Sequence, residues 1–189
     1  MSPQRPGHQE FQGKTLIAIL KQFAKQIADG VLVDVQKVGV IPKNHLQVLP
    51  IKKKDDDGKI LDVVNTLRVV VDSTPINGRT EYRGVSTDNL NDSVNFAAYA
   101  STKGLNIKAD IGDAFYTIPL HRDLWAYFCI SIPFLGTFCY TRLVQGWAPS
   151  AQICQEVFAR IFFELKDHMR RYMDDLIIAT TTDASDYLK

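Results

Sequence analysis

Near the start of the chain, apolar residues recur three and four positions apart, while lysines fall between them on other faces. This spacing predicts an amphipathic helix with one buried face, and Gly30 is a typical residue to end it. The positions that carry the pattern are Leu16, Ile19, Leu20, Phe23 and Ile27.

The next pattern is a pair of apolar segments, at residues 46–51 and 67–72, on either side of a polar stretch. Such a pair predicts a β-hairpin with a long tip, and the Asp55–Lys59 segment has the composition of a turn. Beyond it we expect a loop over Thr74–Gly78 and a short helix over residues 92–100.

In the second half, apolar segments predict strands over residues 105–111, 125–132 and 137–143. A helix capped by Ser150 should follow them. We expect its buried face to hold Ile153, Val157, Phe158, Ile161 and Leu165.

Residues Tyr172-Met173-Asp174-Asp175 follow a basic pair and precede an apolar run. This order predicts a strand, a tight turn and a second strand, and a further helix would begin over 183–189. Because helices and strands mix without a regular βαβ alternation, we expect an α+β fold in which helices flank one face of an antiparallel sheet.

Composition changes this picture little. The chain has 189 residues, 46% of them hydrophobic, which suits one compact domain or a domain of two lobes. A net charge of +1 gives little support to a purely nucleic-acid-binding module, although Lys52-Lys53-Lys54 is locally basic. Cys129, Cys139 and Cys154 lack the spacing of a metal site and are predicted to be small core residues.

The sequence shows no signal peptide and no apolar run long enough to cross a bilayer. We therefore expect an intracellular protein with no membrane partner.

Carboxylates carry the candidate chemistry. The adjacent acids Asp174 and Asp175 repel each other unless cations lie between them, although a solvated surface turn would also accommodate such a pair. Asp110 ends an apolar segment, where it could equally be a strand-end cap or an ion-pair member. If its strand lies beside the acidic hairpin, three carboxylates converge and could hold two Mg²⁺ ions roughly 3.5–4 Å apart.

Five blocks, in order, make the chain resemble the fingers and palm of a reverse transcriptase of the retroviral and LTR-retrotransposon type. The two catalytic blocks are Asp110-Ile111-Gly112-Asp113-Ala114-Phe115 and Tyr172-Met173-Asp174-Asp175. The block that backs the nucleotide is Gln145-Gly146-Trp147 with Pro149-Ser150, and the finger strands are Ile51–Asp55 and Leu67–Asp72 with Asn77 and Arg79 beyond.

The resemblance implies an RNA-directed DNA polymerase that uses two Mg²⁺ ions, with Mn²⁺ as a substitute. Asp110, Asp174 and the Ile111 carbonyl would bind the metals, and Asp175 would complete the cluster. Lys53 and Arg68 would neutralise the triphosphate. Nucleotide contacts would also come from Asp113, Ala114, Phe115, Gln145 and Gly146, and primer or template contacts from Tyr172 and Met173.

Phe115 would exclude the 2′-hydroxyl of ribonucleotides, although it could be an ordinary core aromatic residue. Residues 1–12 are rich in Pro, Gly and Gln, which predicts a mobile segment. The resemblance further implies mainly fingers over 13–104 and mainly palm over 105–189. Expected partners are an RNA or DNA template with its primer, dNTPs, and the thumb and ribonuclease H parts of a pol polyprotein. Expected locations are the cytoplasm, a virus-like particle or the nucleus.

Two departures from the family stand out. Leu143-Val144 precedes Gln145 where the family often has Leu-Pro, and the finger tip over residues 55–66 is longer than in retroviral members. The thumb is expected to be absent from this chain, and its absence would weaken the binding of template and primer. The alternatives are therefore an inactive or domesticated retroelement fragment and an RNA-templated RNA polymerase.

Overall fold

The computed structural model describes residues 11–81, 94–98, 105–172 and 175–180, with the backbone alone at 105, 106, 172, 179 and 180. Among these residues, helices and strands are mixed and the paired strands run antiparallel. The predicted α+β class is confirmed, although the strands form three small sheets instead of one. The expected mobile segment at 1–12 and the helix over 183–189 lie almost entirely outside the described residues.

The helices are α1 (Gly13–Ala28), α2 (Val35–Val38), α3 (Val63–Thr66), α4 (Thr74–Asn77), α5 (94–98) and α6 (Ala148–Ile161). The strands are β1 (Leu32–Asp34), β2 (Gln47–Ile51), β3 (Arg68–Asp72), β4 (Leu105–Asp110), β5 (Cys129–Ile132), β6 (Gly136–Tyr140), β7 (Met169–Tyr172) and β8 (Asp175–Thr180). Short 3₁₀ helices cover Ala114–Thr117, Arg122–Tyr127 and Phe163–Leu165.

The chain folds into two compact units that are not continuous in sequence. The first unit contains Met1–Glu81 and Phe115–Ala148, and the second contains Tyr82–Ala114 and Pro149–Lys189. The division into fingers over 13–104 and palm over 105–189 stays a prediction.

The first unit is built around α1 and the sheet β1-β6-β5. The predicted apolar face of α1 is confirmed, because Ile19 and Phe23 are fully buried in the core. Cys129 and Cys139 are cross-strand neighbours on β5 and β6, and both are buried free thiols. Burial raises the pKa of Cys129 to about 12 and that of Cys139 to about 11, so both behave as the inert core residues that were predicted.

The predicted hairpin is formed by β2 and β3, which pair from Gln47 opposite Asp72 to Ile51 opposite Arg68. Its polar tip contains the predicted turn, closed by the Asp55 N–H donating to the Lys59 carbonyl over 2.9 Å. The tip also contains the one-turn helix α3, which the apolar pattern did not predict. Asp62 caps this helix by accepting from the Val64 N–H.

The second unit contains the sheet β4-β8-β7, in which β8 is the central strand. The expected strand ending in Asp110 and the expected short helix near residues 92–100 are both present. Phe96 of α5 is buried and packs against Ile177 of β8. The Arg170 guanidinium lies 4.6 Å from the centroid of the same Phe96 ring.

Three local predictions were wrong. The expected loop at 74–78 begins as helix α4, whose Pro75 suits the first turn of a helix. Hydrogen bonds from Thr74 also lower the pKa of Asp72 and fix the chain entering this helix. The first half of the strand expected over 125–132 is a 3₁₀ helix that ends at Tyr127.

Helix α6 was predicted to begin at Ser150, but it begins at Ala148 and Ser150 is buried inside it. Its buried face is formed by Ser150, Cys154, Gln155 and Phe158. Ile161, at the C-terminal end of the helix, is 62% exposed. Leu165 is also exposed, because the chain has by then turned into a 3₁₀ helix.

Candidate active site

The strand pairing of the second unit brings two of the predicted acids together. Asp110 at the end of β4 lies directly opposite Asp175 at the start of β8. Directly opposite residues of antiparallel strands point to the same face, with Cα atoms about 4.5–5.5 Å apart. Both residues are at least partly exposed, so their carboxylates share one accessible end of the sheet.

The third predicted acid, Asp174, and its neighbour Met173 lie outside the described residues. Tyr172 is placed only by its backbone, opposite Asp175 at the end of β7. Within the described parts of the chain, no group of three His, Cys, Asp or Glu side chains is placed to hold a metal ion. Of the three predicted acids, the structure therefore places Asp110 and Asp175 opposite each other, and their role as metal ligands stays a prediction.

The chain turns sharply after Asp110. Asp113 has a φ of +53°, in the left-handed region that few residues except Gly, Asn and Asp adopt readily. The turn leads into the 3₁₀ helix Ala114–Thr117, which starts with the buried Ala114 and continues with the half-buried Phe115. The predicted nucleotide-binding backbone of Asp113 and Ala114 thus follows Asp110 within one turn of chain.

A buried arginine anchors the strand that leads to the acidic turn. Arg171 is 7% exposed, and its guanidinium donates to the Gln155 carbonyl over 2.8 Å and to the Cys154 carbonyl over 3.4 Å. It also lies over the Phe158 ring. A charged side chain is buried at low free-energy penalty only when such partners meet it. Arg171 therefore fixes β7 to the middle of α6, a role that the sequence did not indicate.

The Gln145-Gly146 pair lies in a tight turn of the first unit. Gly146 has a φ of +89°, which favours glycine, and a Cβ there would lie 3.6 Å from the Val71 carbonyl oxygen. Gln145 is exposed. Trp147 is buried, donates its indole N–H to the Thr80 hydroxyl over 3.3 Å, and packs edge-on against Phe128.

The Asn77 amide holds this turn from α4. Its Nδ2 donates to the Gly146 carbonyl over 2.9 Å, and its Oδ1 accepts from the Ala148 N–H over 2.8 Å. The two bonded residues, Gly146 and Ala148, lie on either side of Trp147 in the sequence. Asn77 was part of the motif pattern, but the sequence did not indicate that it holds the backbone of Gly146 and Ala148.

We expect Asn77→Ala to lower the free energy of unfolding by about 1–2 kcal/mol, because it removes two hydrogen bonds to backbone groups, one of them partly buried. If Gln145 and Gly146 contact the nucleotide as predicted, the loosened turn should also raise KM for the nucleotide more than it lowers kcat. Urea denaturation and steady-state kinetics would measure the two effects.

Asn65→Ala is the matched control, since Asn65 is an exposed residue whose amide donates to Asp62 within the finger tip. Exposed substitutions of this kind usually change stability by less than about 0.5 kcal/mol. Equal urea midpoints for the two variants would show that the Asn77 bonds do not hold the turn.

Lys53 and Arg68 belong to the hairpin of the first unit and are both exposed. Arg68 pairs with Ile51, two residues before Lys53 along the opposite side of the hairpin. The Gln22 side chain, from α1, bonds to the backbone on both sides of Arg68. It donates to the Leu67 carbonyl and accepts from the Val69 N–H over 3.0 Å. Gln22 therefore sets the backbone from which Arg68 projects.

The family comparison agrees with this architecture. Residues 46–188 match the family model of the reverse transcriptase (RNA-dependent DNA polymerase), which covers well over half of the chain. The chain belongs to this family. The suspected relationship is thus confirmed, and with it a polymerase fold of the palm and fingers kind.

As a member of this family, the protein is a reverse transcriptase domain. It is therefore a nucleotidyltransferase with RNA-directed DNA polymerase function. Template, primer and nucleotides are the partners of such domains in general, and these domains generally use divalent metal ions. Within the described parts of the chain, no helix is long and apolar enough to cross a membrane.

Proposed function

We propose that this chain transfers nucleotides from dNTPs to a primer 3′-end by two-metal catalysis, as part of a retroelement. The observation that carries this proposal is the direct cross-strand pairing of Asp110 and Asp175 at one end of the sheet. The Tyr172–Asp175 tetrapeptide is typical of retroviruses, and the Ala148–Ser150 run resembles LTR retrotransposons. Both support a pol polyprotein as the source of partner domains.

The donor set fits divalent metal ions. Carboxylate oxygens on one accessible face are ligands that Mg²⁺ and Mn²⁺ prefer. A cation is already accommodated beside one of them, because the Lys108 ammonium lies 3.1 Å from the Asp175 Oδ1 atom. Asp110, Asp174, Asp175 and the Ile111 carbonyl would hold the ions. When bound, two ions would activate the 3′-hydroxyl and neutralise charge on the triphosphate.

Other residues would bind and orient the nucleotide in this proposal. Lys53 would supply a point charge and Arg68 a bidentate contact to phosphate, since ammonium and guanidinium groups differ in this way. The backbone amides of Asp113 and Ala114 would also hold phosphate oxygens. Gln145 and Gly146 would contact the nucleotide, Phe115 would face its sugar, and Tyr172 and Met173 would contact the primer or template.

Primer extension tests the proposal. With poly(rA), an oligo(dT) primer, dTTP and Mg²⁺ at low salt, where nucleic acid binds most tightly, we expect the chain to lengthen the primer, and Asp174→Asn to abolish the extension. Asp123→Asn removes an exposed acid at the start of a 3₁₀ helix and serves as the control, with unchanged extension expected. Extension at the wild-type rate by Asp174→Asn would overturn the metal assignment.

A further inference from the structure

Lys108 forms an ion pair with one of the two acids of the candidate metal site. Its Nζ atom lies 3.1 Å from the Asp175 Oδ1 atom. Lys108 is two residues before Asp110 on β4 and pairs with Ile177, two residues after Asp175 on β8. Since side chains alternate along a strand, all four residues point to the same face, and Lys108 reaches Asp175 diagonally.

This ion pair is too exposed to be important for stability. The side chains are 71% exposed for Lys108 and 43% exposed for Asp175. Exposed pairs of this kind contribute about 0–1 kcal/mol to folding, because water and salt screen them. The pair therefore contributes little to the stability of the sheet.

The charges around this ion pair indicate a role at the acidic site. Asp110 and Asp175 lie directly opposite each other, and two like charges at this spacing repel. An ammonium group on the same face offsets this repulsion when no metal ion is bound. The same ammonium repels a divalent ion and occupies an oxygen that the ion would use.

We propose that Lys108 is a built-in counter-cation of the acidic site, which holds Asp175 in the metal-free protein and is displaced when a divalent ion binds. Lys108 is thus a positioning residue that sets the metal concentration at which the site fills. The inference rests on the proposed two-metal function. It adds that a side chain of the same protein competes with the metal ion for Asp175.

The first test measures metal binding without nucleotide or catalysis. Mn²⁺ binding to the full chain is followed by the loss of the free-ion electron paramagnetic resonance signal. Lys108→Met keeps an unbranched side chain and removes the charge, so it should tighten Mn²⁺ binding roughly 3- to 10-fold at low salt. The gain should shrink as the salt concentration rises.

Two further variants serve as controls, one for the charge at this position and one for the loss of a lysine elsewhere. Lys108→Arg keeps the charge and should bind Mn²⁺ with close to the wild-type affinity. Lys14→Met removes an exposed lysine of the first unit and should also leave the affinity unchanged. In primer extension, Lys108→Met should reach its half-maximal rate at a correspondingly lower Mg²⁺ concentration. Its melting temperature should stay close to that of the wild type.

The outcomes distinguish this inference from the proposed function. If Asp110→Asn does not weaken Mn²⁺ binding, the acids hold no metal and both proposals fail. If Asp110→Asn weakens it but Lys108→Met binds Mn²⁺ as the wild type does, the two-metal function stands and the role of Lys108 is refuted. Weaker binding by Lys108→Met would likewise refute it, since that result requires the lysine to support the metal.

Discussion

Asp110→Asn is expected to reduce the rate of primer extension by about a thousandfold or more. A metal ion contributes several kcal/mol to the stabilisation of the transition state, and roughly 1.4 kcal/mol corresponds to a tenfold change in rate. The amide keeps the size of the carboxylate but loses its charge. Single-turnover kinetics at saturating dTTP and Mg²⁺ would measure the loss directly.

The stability of the protein should hardly change, because Asp110 is exposed and lies at the end of its strand. Asp167→Asn is the matched control, since Asp167 lies in an exposed turn of the same unit. Asp175→Asn should cause a smaller loss than Asp110→Asn, because Asp175 is proposed to complete the cluster. A rate for Asp110→Asn within tenfold of the control would exclude Asp110 as a metal ligand.

Sequence predicted those elements whose pattern is local. Helix α1 follows from apolar spacing alone, and the hairpin of β2 and β3 follows from two apolar runs around a polar tip. Helix α6 shows the limit of this reasoning. Its buried face includes Gln155, and the exposed Ile161 lies at its end, because packing in the second unit outweighs the hydrophobic pattern. The strand β1 has only three residues, too few to show a period.

The residues of the candidate site were likewise predicted only where their sequence signal is local. The acids were found because Asp110 ends an apolar run and Asp175 begins one. The residues that hold the acids, or the strands that carry other candidate residues, were missed because each acts on a group far away in the sequence. Arg171 donates to carbonyls of α6, Gln22 bonds to the backbone of β3, and Lys108 meets Asp175. Only the folded chain brings such partners together.

Phe115→Ala is expected to let ribonucleotides enter the site. Phe115 is half-buried, whereas the next residue, Tyr116, stacks on the buried Tyr140 ring with centroids 6.2 Å apart. Successive side chains of a 3₁₀ helix point about 120° apart, so Phe115 faces away from the direction of Tyr116. If its ring excludes the 2′-hydroxyl, its loss should lower the preference for dTTP over UTP by about 10- to 200-fold.

The ratio of kcat/KM for dTTP and UTP on poly(rA) would measure this preference. Phe115→Tyr keeps the ring and should keep the preference. Tyr116→Phe changes the neighbouring ring and loses only a hydroxyl, which accepts from the Gln26 amide over 3.4 Å, so its preference should also be unchanged. An unaltered ratio in Phe115→Ala would make Phe115 a core residue without a role in selection. Equal use of dTTP and UTP by the wild type would instead show that this site does not reject the 2′-hydroxyl, and it would leave no selectivity for Phe115 to provide.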